Sequence, residues 1–209
     1  MIRLAKPNID ERSIARVAEV LRSGNLVQGE NVSAFENELE NYLRIKHVIV
    51  VSSGTAALHL SLLSLGIGAG DEVIVPSFTF PATVNTVELV GATPRFVDIS
   101  LNDFCIDVTK IEKAINNRTR AIMPVHEFGY PAAMGQISAI AKEHDLKIIE
   151  DAACALGSEY RGGKVGTFGN AGCFSFHPRK AITTGEGGAI ATNDSRIASH
   201  VKALRNHGL

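Results

Sequence analysis

Lys180 has the setting in this sequence that is most suggestive of chemistry. It lies in the stretch FSFHPRKAITTGEGG (174–188), between an apolar run typical of a strand and a loop of small residues. Partial desolvation favours the neutral amine of a lysine, and a neutral amine attacks an aldehyde to form a Schiff base. The alternative is a solvated lysine at the tip of a hairpin, which composition alone favours.

A second candidate is the stretch SSGTAAL (52–58), which places Gly54 and Thr55 where a strand turns into a helix. The free N–H groups of a helix N-terminus, the helix dipole and a threonine hydroxyl together form a site for an anion. Gly54 would let a phosphate group approach the backbone closely. The alternative is a Ser/Thr helix cap without a ligand, which an isolated Ser-Gly-Thr favours.

Two carboxylates, Glu150 and Asp151, end the apolar run LKIIED (146–151). Burying a carboxylate without a partner is costly, so we expect it to hold a cation, a metal ion or a protonated ring nitrogen. The alternative is an N-cap for the Ala-rich helix that the next residues predict. Phe80, in SFTFP, also follows a strand, where its ring either packs in the core or covers the flat face of a ligand.

A metal site built from His126, His177, Asp151 and Cys154 is disfavoured. No HxxxH, HxH or CxxC pair occurs among these residues, so their spacing is not that of metal ligands. What remains is an anion site, a buried carboxylate, an aromatic ring and a lysine. These match the phosphate, the pyridinium nitrogen, the ring face and the aldehyde of pyridoxal phosphate. The sequence therefore predicts a site for this cofactor and no metal.

Composition excludes several other classes of protein. The chain has 209 residues, 45% of them hydrophobic, which suffices for one domain with its own core. A net charge of −1 without basic clusters argues against a nucleic-acid partner. The amino terminus MIRLAKPNIDERS lacks the apolar core of a signal peptide, and no stretch predicts a membrane span. The three cysteines lie far apart, so we expect no disulfides and a cytoplasmic protein.

The elements that must position these residues follow an alternating pattern. Predicted strands cover 47–51, 72–76, 93–98, 120–125 and 146–151, and predicted helices lie near 55–65, 81–90, 109–116 and 133–144. Strands that are apolar on both faces and separated by helices predict an α/β fold, a mostly parallel sheet with helices on both faces. Ligands bind such sheets at the carboxyl ends of the strands, where the candidate residues lie.

The two ends of the chain have other patterns. Two amphipathic helices are predicted before the first strand, and the first of them has Asp10 as its N-cap and Gly24 at its carboxyl end. From residue 157 onward, short strands punctuated by glycine predict hairpins, and a last helix is predicted at about 194–206.

Together these ordered motifs resemble the DegT/DnrJ/StrS family of sugar aminotransferases nearly from end to end. The resemblance is carried by VLRSGNLVQGENVSAFENELENYL, VVSSGTAALHLSLLSLGIGAGDEVIVPSFTFPAT, IMPVHEFGYPAAM, IIEDAACALGSEYRGGKVG, CFSFHPRKAITTGEGGAIATND and LRNHGL. It implies a fold-type I transferase that depends on pyridoxal phosphate and is usually a homodimer. It also implies transfer of an amino group from glutamate or glutamine to a nucleotide-linked keto sugar, for the biosynthesis of amino sugars in polysaccharides, lipopolysaccharides or antibiotics.

The resemblance also implies roles for single residues. Lys180 matches the lysine that forms the Schiff base with the cofactor, and Asp151 matches the carboxylate paired with the pyridine nitrogen. Phe80 matches the aromatic residue stacked on the ring. The phosphate-binding groups match Gly54, Thr55 and Ser175.

Two departures from the family pattern accompany these matches. Cys154 stands where members usually have histidine or glutamine near the 3-hydroxyl of the cofactor, and a thiol is a weak donor. Members are also considerably longer. Residues 1–209 are therefore expected to be the cofactor-binding large domain, with an N-terminal helical arm (about 1–45) and without the small C-terminal domain. Two alternatives stay open: a sugar dehydratase of the same superfamily, although some of these carry histidine in place of the lysine, and a non-catalytic cofactor-binding domain.

Overall fold

The computed structural model describes residues 5–208, so residues 1–4 of the predicted arm and Leu209 lie outside the described residues. The helices are α1 (Glu11–Ser23), α2 (Glu30–Leu43), α3 (Gly54–Ser64), α4 (Pro81–Leu89), α5 (Val108–Ala114), α6 (Met134–Glu143) and α7 (Ser195–Arg205). The strands are β1 (His47–Val51), β2 (Glu72–Pro76), β3 (Thr93–Val97), β4 (Thr119–Ile122), β5 (Lys147–Asp151), β6 (Glu159–Tyr160), β7 (Gly163–Lys164), β8 (Ala171–Ser175) and β9 (Gly188–Thr192). Every strand and helix predicted from the pattern before residue 150 is present, with ends that shift by a few residues. No helix within the described range combines the length and the apolar character needed to cross a membrane.

Seven of the strands form one sheet, in the order β1-β9-β8-β5-β4-β2-β3. Strands β3, β2, β4, β5 and β8 pair in parallel, whereas β9 runs antiparallel to both of its neighbours, β8 and β1. The mostly parallel sheet is therefore confirmed. The glycine-rich segment contains the predicted antiparallel pairs of consecutive strands, β6-β7 and β8-β9, but β8 and β9 also join the central sheet, which the sequence pattern did not predict.

Helices cover both faces of this sheet. On one face α3, α4 and α7 bury side chains such as Leu58, Leu62 and Val201, and on the other face α5 and α6 bury Ile111 and Ile137. Strand β3 departs from the prediction of strands that are apolar on both faces, because four of its five residues are at least partly exposed. It is the last strand of the sheet, so no further strand covers its outer side.

The N-terminal helices differ in how they pack. Helix α1 has the predicted caps: the Asp10 carboxylate accepts the Ser13 N–H at 2.8 Å, and Gly24 has φ 74°. No residue of α1 is buried within the described part of the chain, and Val17 of its apolar side is 60% exposed. Helix α2, in contrast, buries Leu39 in the core cluster beside β1.

Helix α2 also covers the other edge of the sheet. The outward N–H groups of Val48 and Val50 in β1 donate to the carboxylates of Glu40 and Glu36, at 3.0 and 2.9 Å. The Arg205 guanidinium of α7 donates to Glu36 and, at 2.9 Å, to the Val50 carbonyl. An open strand edge has unpaired N–H groups, so these two carboxylates satisfy the edge and fix both helices to it.

We predict that Glu36→Ala lowers the free energy of unfolding by about 2–4 kcal/mol, because it leaves the Arg205 charge and the Val50 N–H without their partner. Urea unfolding followed by circular dichroism measures the change. Glu38→Ala, at an exposed position of the same helix, is the control and should be nearly neutral. Equal effects of the two substitutions would contradict the role given to Glu36.

Candidate active site

The candidate residues meet at one edge of the sheet. Strands β1, β2, β5 and β8 point the same way, because β1 and β8 are both antiparallel to β9 and the others are parallel to β8. Their carboxyl ends lead into α3, into the loop before α4, and into the segments that contain Asp151 and Lys180. The topology thus brings together residues that lie more than a hundred positions apart in sequence.

The start of α3 touches the end of β8. A Cβ atom on Gly54 would lie 2.9 Å from the Cβ atom of Ser175, so only glycine allows this approach. Ser53 is the helix cap, since its Oγ accepts the Ala56 N–H at 3.0 Å. The first N–H groups of a helix have no intrahelical acceptor, so those of Gly54 and Thr55 remain available beside the Ser175 hydroxyl.

A second close approach fixes the same corner from β9. A Cβ atom on Gly188 would collide with the backbone of Ser53 and Gly54. The first residue of β9 therefore packs against the N-terminus of α3 without a side chain between them. Sequence analysis did not identify Gly188 as part of the site, although the run GEGG after Lys180 was a possible signal.

Asp151 is a buried carboxylate, 5% exposed, at the end of the central strand β5. Its oxygens accept the Thr83 hydroxyl at 2.8 Å and the Ala153 N–H at 3.1 Å. No ion pair to Asp151 occurs within residues 5–208, and burial raises its pKa above the usual value for an aspartate. The prediction that Asp151 caps a following helix is wrong, because the residues after it form turns.

Glu150 has the opposite role, because neighbouring residues of a strand point to opposite faces. Its carboxylate accepts three backbone N–H groups at 2.7 Å each, from Gly166, Phe168 and Gly169. The fourth partner is His126, whose Nε2 lies 3.0 Å from Glu150 and whose Nδ1 accepts the Ala132 N–H. Glu150 is therefore a structural carboxylate that is saturated with hydrogen bonds, and only Asp151 of the pair is available to a ligand.

Both nitrogens of His126 have protein partners, so neither is free to bind a metal ion. His177 accepts the Arg179 N–H at its Nδ1. Within residues 5–208, no three His, Cys, Asp or Glu side chains are placed together so that they could hold a metal ion.

Lys180 lies in the connection between β8 and β9 and is half-buried. Its ammonium group donates to the exposed thiol of Cys154, with Nζ 2.9 Å from Sγ. The connection is closed by the hydroxyl of Thr183, which donates to the Phe176 carbonyl at 2.8 Å. The lysine is thus inside a closed loop with a side-chain partner, which differs from the freely solvated hairpin tip of the alternative interpretation.

Phe80 is not part of the core. It is the N-cap residue of α4, it precedes Pro81, and its side chain is 66% exposed. Its neighbour Thr79 has its hydroxyl 2.8 Å from that of Thr83, which in turn donates to Asp151. Phe80 therefore stands at the site edge with its ring uncovered by described residues. Thr79 and Thr83 were not predicted from the sequence, because Thr79 precedes the helical pattern that contains Thr83 and no local signal joins them.

Comparison with known proteins agrees with this fold. The sequence profile of the DegT/DnrJ/EryC1/StrS aminotransferase family matches residues 7–209. GDP-perosamine synthase of Caulobacter vibrioides is 44% identical over 209 residues, which is 100% of this chain and 56% of that protein. The UDP-4-amino-4-deoxy-L-arabinose–oxoglutarate aminotransferase of Shewanella sediminis is 43% identical over 99% of this chain and 53% of its own length.

Among solved structures, Spr1654 from Streptococcus pneumoniae in its PLP form superposes with a TM-score of 0.95 at 33% identity, covering 99% of this chain and 58% of that one. This likeness confirms the α/β fold as that of the large domain of fold-type I transferases. The chain belongs to the DegT/DnrJ/EryC1/StrS aminotransferase family. It spans about half the length of the curated relatives it matches.

We predict that Gly54→Ala lowers the free energy of unfolding by about 1–3 kcal/mol, because the new methyl group overpacks the contact with Ser175. Gly29→Ala is the matched control, since a Cβ atom there meets nothing within 4 Å. Urea unfolding of both variants measures the difference. A neutral Gly54→Ala would mean that α3 and β8 are not in close contact.

A further prediction concerns pH. The raised pKa of Asp151 means that the folded chain binds this proton more tightly than the unfolded chain. Stability then falls as the pH rises from the unfolded pKa through the folded pKa, and stays lower above it. Asp151→Asn, which removes the charge, should make the ligand-free protein more stable than wild type at neutral pH. The difference should vanish at acid pH, where the wild-type carboxyl group is protonated.

Urea unfolding of the ligand-free proteins at a series of pH values tests this prediction. Glu143→Gln, at an exposed position of α6, is the control and should follow the wild-type curve. A constant difference between wild type and Asp151→Asn across the pH range would contradict the role given to the buried charge.

Proposed function

We propose that this chain is the cofactor-binding part of a pyridoxal phosphate-dependent aminotransferase that acts on a nucleotide-linked keto sugar. The observation that carries the proposal is a half-buried lysine on the same sheet edge as a buried carboxylate with no cationic partner among residues 5–208. The PLP and PMP forms of the related Spr1654 support the choice of cofactor.

Asp151 fits the pyridine nitrogen of this cofactor. Its burial disfavours the carboxylate charge, and a cationic N–H partner would remove that penalty. Thr83 and Ala153 hold the carboxylate oxygens in place, so the group is already oriented before a ligand binds. Asp151 would keep the ring nitrogen protonated, which allows the cofactor to accept electrons released from the amino donor.

The corner of Gly54, Thr55 and Ser175 fits the phosphate group. It combines the free N–H groups of the α3 N-terminus with two hydroxyl groups, and the glycine lets that terminus lie against Ser175. Phe80, with its exposed ring at the start of α4, would cover the ring face. These four residues would bind and orient the cofactor without taking part in proton transfer.

Lys180 would be the catalytic residue. Its amine would hold the cofactor through the aldehyde, with release of water, and, once the amino donor displaces it, would be the base that accepts the proton from the α-carbon of the donor. Cys154 is the nearest partner of this amine and would lie beside the cofactor, where its thiol forms weaker hydrogen bonds than histidine or glutamine would.

The names of the relatives support the substrates. One relative is named as a GDP-perosamine synthase, and another is named for a UDP-linked amino sugar and oxoglutarate. Oxoglutarate is the keto acid left when glutamate gives up its amino group, so we favour glutamate over glutamine as donor. The product would be an amino sugar for polysaccharide, lipopolysaccharide or antibiotic biosynthesis.

We further propose that residues 1–209 act as one large domain with an N-terminal helical arm, that the protein is a homodimer, and that it works in the cytoplasm. The uncovered apolar side of α1 supports a second copy, and the free cysteines support a reducing compartment.

The proposal predicts that pyridoxal phosphate added to the protein gives a visible absorbance band that Lys180→Ala abolishes. Lys142→Ala, at an exposed position of α6, is the control and should retain the band. Glutamate should then convert the bound cofactor to the pyridoxamine form, with loss of the band. Equal absorbance in Lys180→Ala and wild type would overturn the assignment of the lysine, and a stable band in the presence of glutamate would support a non-catalytic cofactor-binding domain instead.

A further inference from the structure

Three phenylalanines form an exposed cluster beside the site. The rings of Phe78, Phe104 and Phe128 contact one another, with centroid distances of 5.8, 6.2 and 6.1 Å. They are nevertheless 46%, 41% and 70% exposed. We call these three residues the phenylalanine cluster. Such a patch of aromatic surface is unusual unless it contacts a ligand or another chain.

The backbone holds two of these rings in place at a cost. Phe104 has φ 60° and Phe128 has φ 52°, in the left-handed region that a bulky side chain rarely adopts. Strained positions of this kind concentrate at ligand sites, where the surrounding structure maintains them. The turn that contains Phe128 is stabilised by a hydrogen bond, in which the Ser158 hydroxyl donates to the Gly129 carbonyl at 2.7 Å.

The phenylalanine cluster is connected to Asp151 from two directions. Phe78 precedes Thr79, whose hydroxyl reaches Asp151 through Thr83. Phe128 lies two residues after His126. The backbone N–H of His126 donates to the Asp151 carbonyl at 3.0 Å. The cluster therefore borders the same edge of the sheet as the proposed cofactor site.

Glu127 lies in the chain between His126, which is bonded to Asp151, and Phe128 of the phenylalanine cluster. It is half-buried in the short 3-10 helix Glu127–Gly129, and its carboxylate has the backbone N–H of Phe128 beside it but no side-chain hydrogen bond or ion pair to any residue in the 5–208 range. Burial, followed by the charge of Asp151, raises its pKa, and the charge of Lys180 lowers it. The two charges at the centre of the site thus both act on Glu127.

Resting on the proposed function, we propose that Glu127 and the phenylalanine cluster bind the sugar acceptor. A sugar ring presents apolar C–H groups on its faces and hydroxyl groups at its rim. Aromatic rings pack against the former, and a carboxylate accepts hydrogen bonds from the latter.

The Glu127 carboxylate would also discriminate between the two substrates of the reaction. Glutamate carries two carboxylates close to its reacting amino group, which the negative charge of Glu127 repels, whereas the sugar ring of the acceptor is uncharged, its diphosphate lies beyond the ring, and its hydroxyl groups are attracted to Glu127. Glu127 would therefore favour the sugar over the amino donor on this side of the site.

Direct binding to the 209-residue chain tests the inference. The probes are GDP-perosamine and UDP-4-amino-4-deoxy-L-arabinose, titrated by calorimetry into the protein with and without pyridoxal phosphate. Phe128→Ala should weaken sugar binding about tenfold, and Glu127→Gln about fivefold, as expected for loss of one central contact each. The glutamate concentration that half-converts the bound cofactor should change much less, or fall in Glu127→Gln.

Two control variants separate binding from folding. Phe128→Tyr keeps the ring and should restore sugar binding, and Phe96→Ala, at a 55% exposed position of β3 outside the cluster, should bind like wild type. The inference would be overturned if the substitutions weakened sugar and glutamate binding equally, or if neither substitution weakened sugar binding. It would also be overturned if the wild-type protein bound neither probe. Sedimentation that shows a dimer dissociated by Phe128→Ala, with sugar binding unchanged, would assign the cluster to a subunit interface instead.

The two proposals fail in different ways. If the protein gives no visible band with pyridoxal phosphate, the proposed function fails. The calorimetric titration without cofactor still decides whether the cluster binds the sugar.

Discussion

The site depends on one buried carboxylate that forms no ion pair in the described part of the chain. Asp151 ends the middle strand of a seven-stranded sheet, where helices on both faces exclude water. Burial works against its charge, and two hydrogen bonds from Thr83 and Ala153 compensate only in part. The fold therefore maintains an unfavourable charge at a fixed point, which is the condition under which a cationic ligand group is bound with most benefit.

The neighbouring residue makes this arrangement possible. Glu150 points to the other face of β5, where His126 and three backbone N–H groups satisfy it completely. Those bonds fix the segment before β8 and the end of β4, the two segments that flank Asp151. The two adjacent carboxylates thus have different roles: Glu150 stabilises the surrounding loops, and Asp151 is available to a ligand. The alternation of a strand is enough to separate them.

The sequence predicted the parts of the molecule that depend on local pattern. Apolar runs gave the strands and helices up to residue 150, and residue type with spacing identified Lys180, Asp151 and the Gly54 corner. Contacts between segments that are distant in the chain could not be predicted from the sequence. Gly54 meets Ser175, and Thr83 meets Asp151, across many residues of intervening chain, and no periodicity encodes such pairs. For the same reason β8 and β9 were expected only as hairpin strands, since a place in a sheet is decided by partners elsewhere.

The contact between Lys180 and Cys154 has a consequence for how the lysine becomes reactive. An ammonium group held by a carboxylate would gain a strong, charge-assisted bond that opposes loss of its proton. A thiol sulfur is only a weak acceptor, so the contact at 2.9 Å positions Nζ without a strong bond to it. The carboxylates of Asp151 and Glu127 interact with the charge of Lys180, but neither forms an ion pair with it among residues 5–208. The side chain that orients the lysine is therefore distinct from the groups that set the charge around it, and the amine can leave its partner for a ligand at little cost.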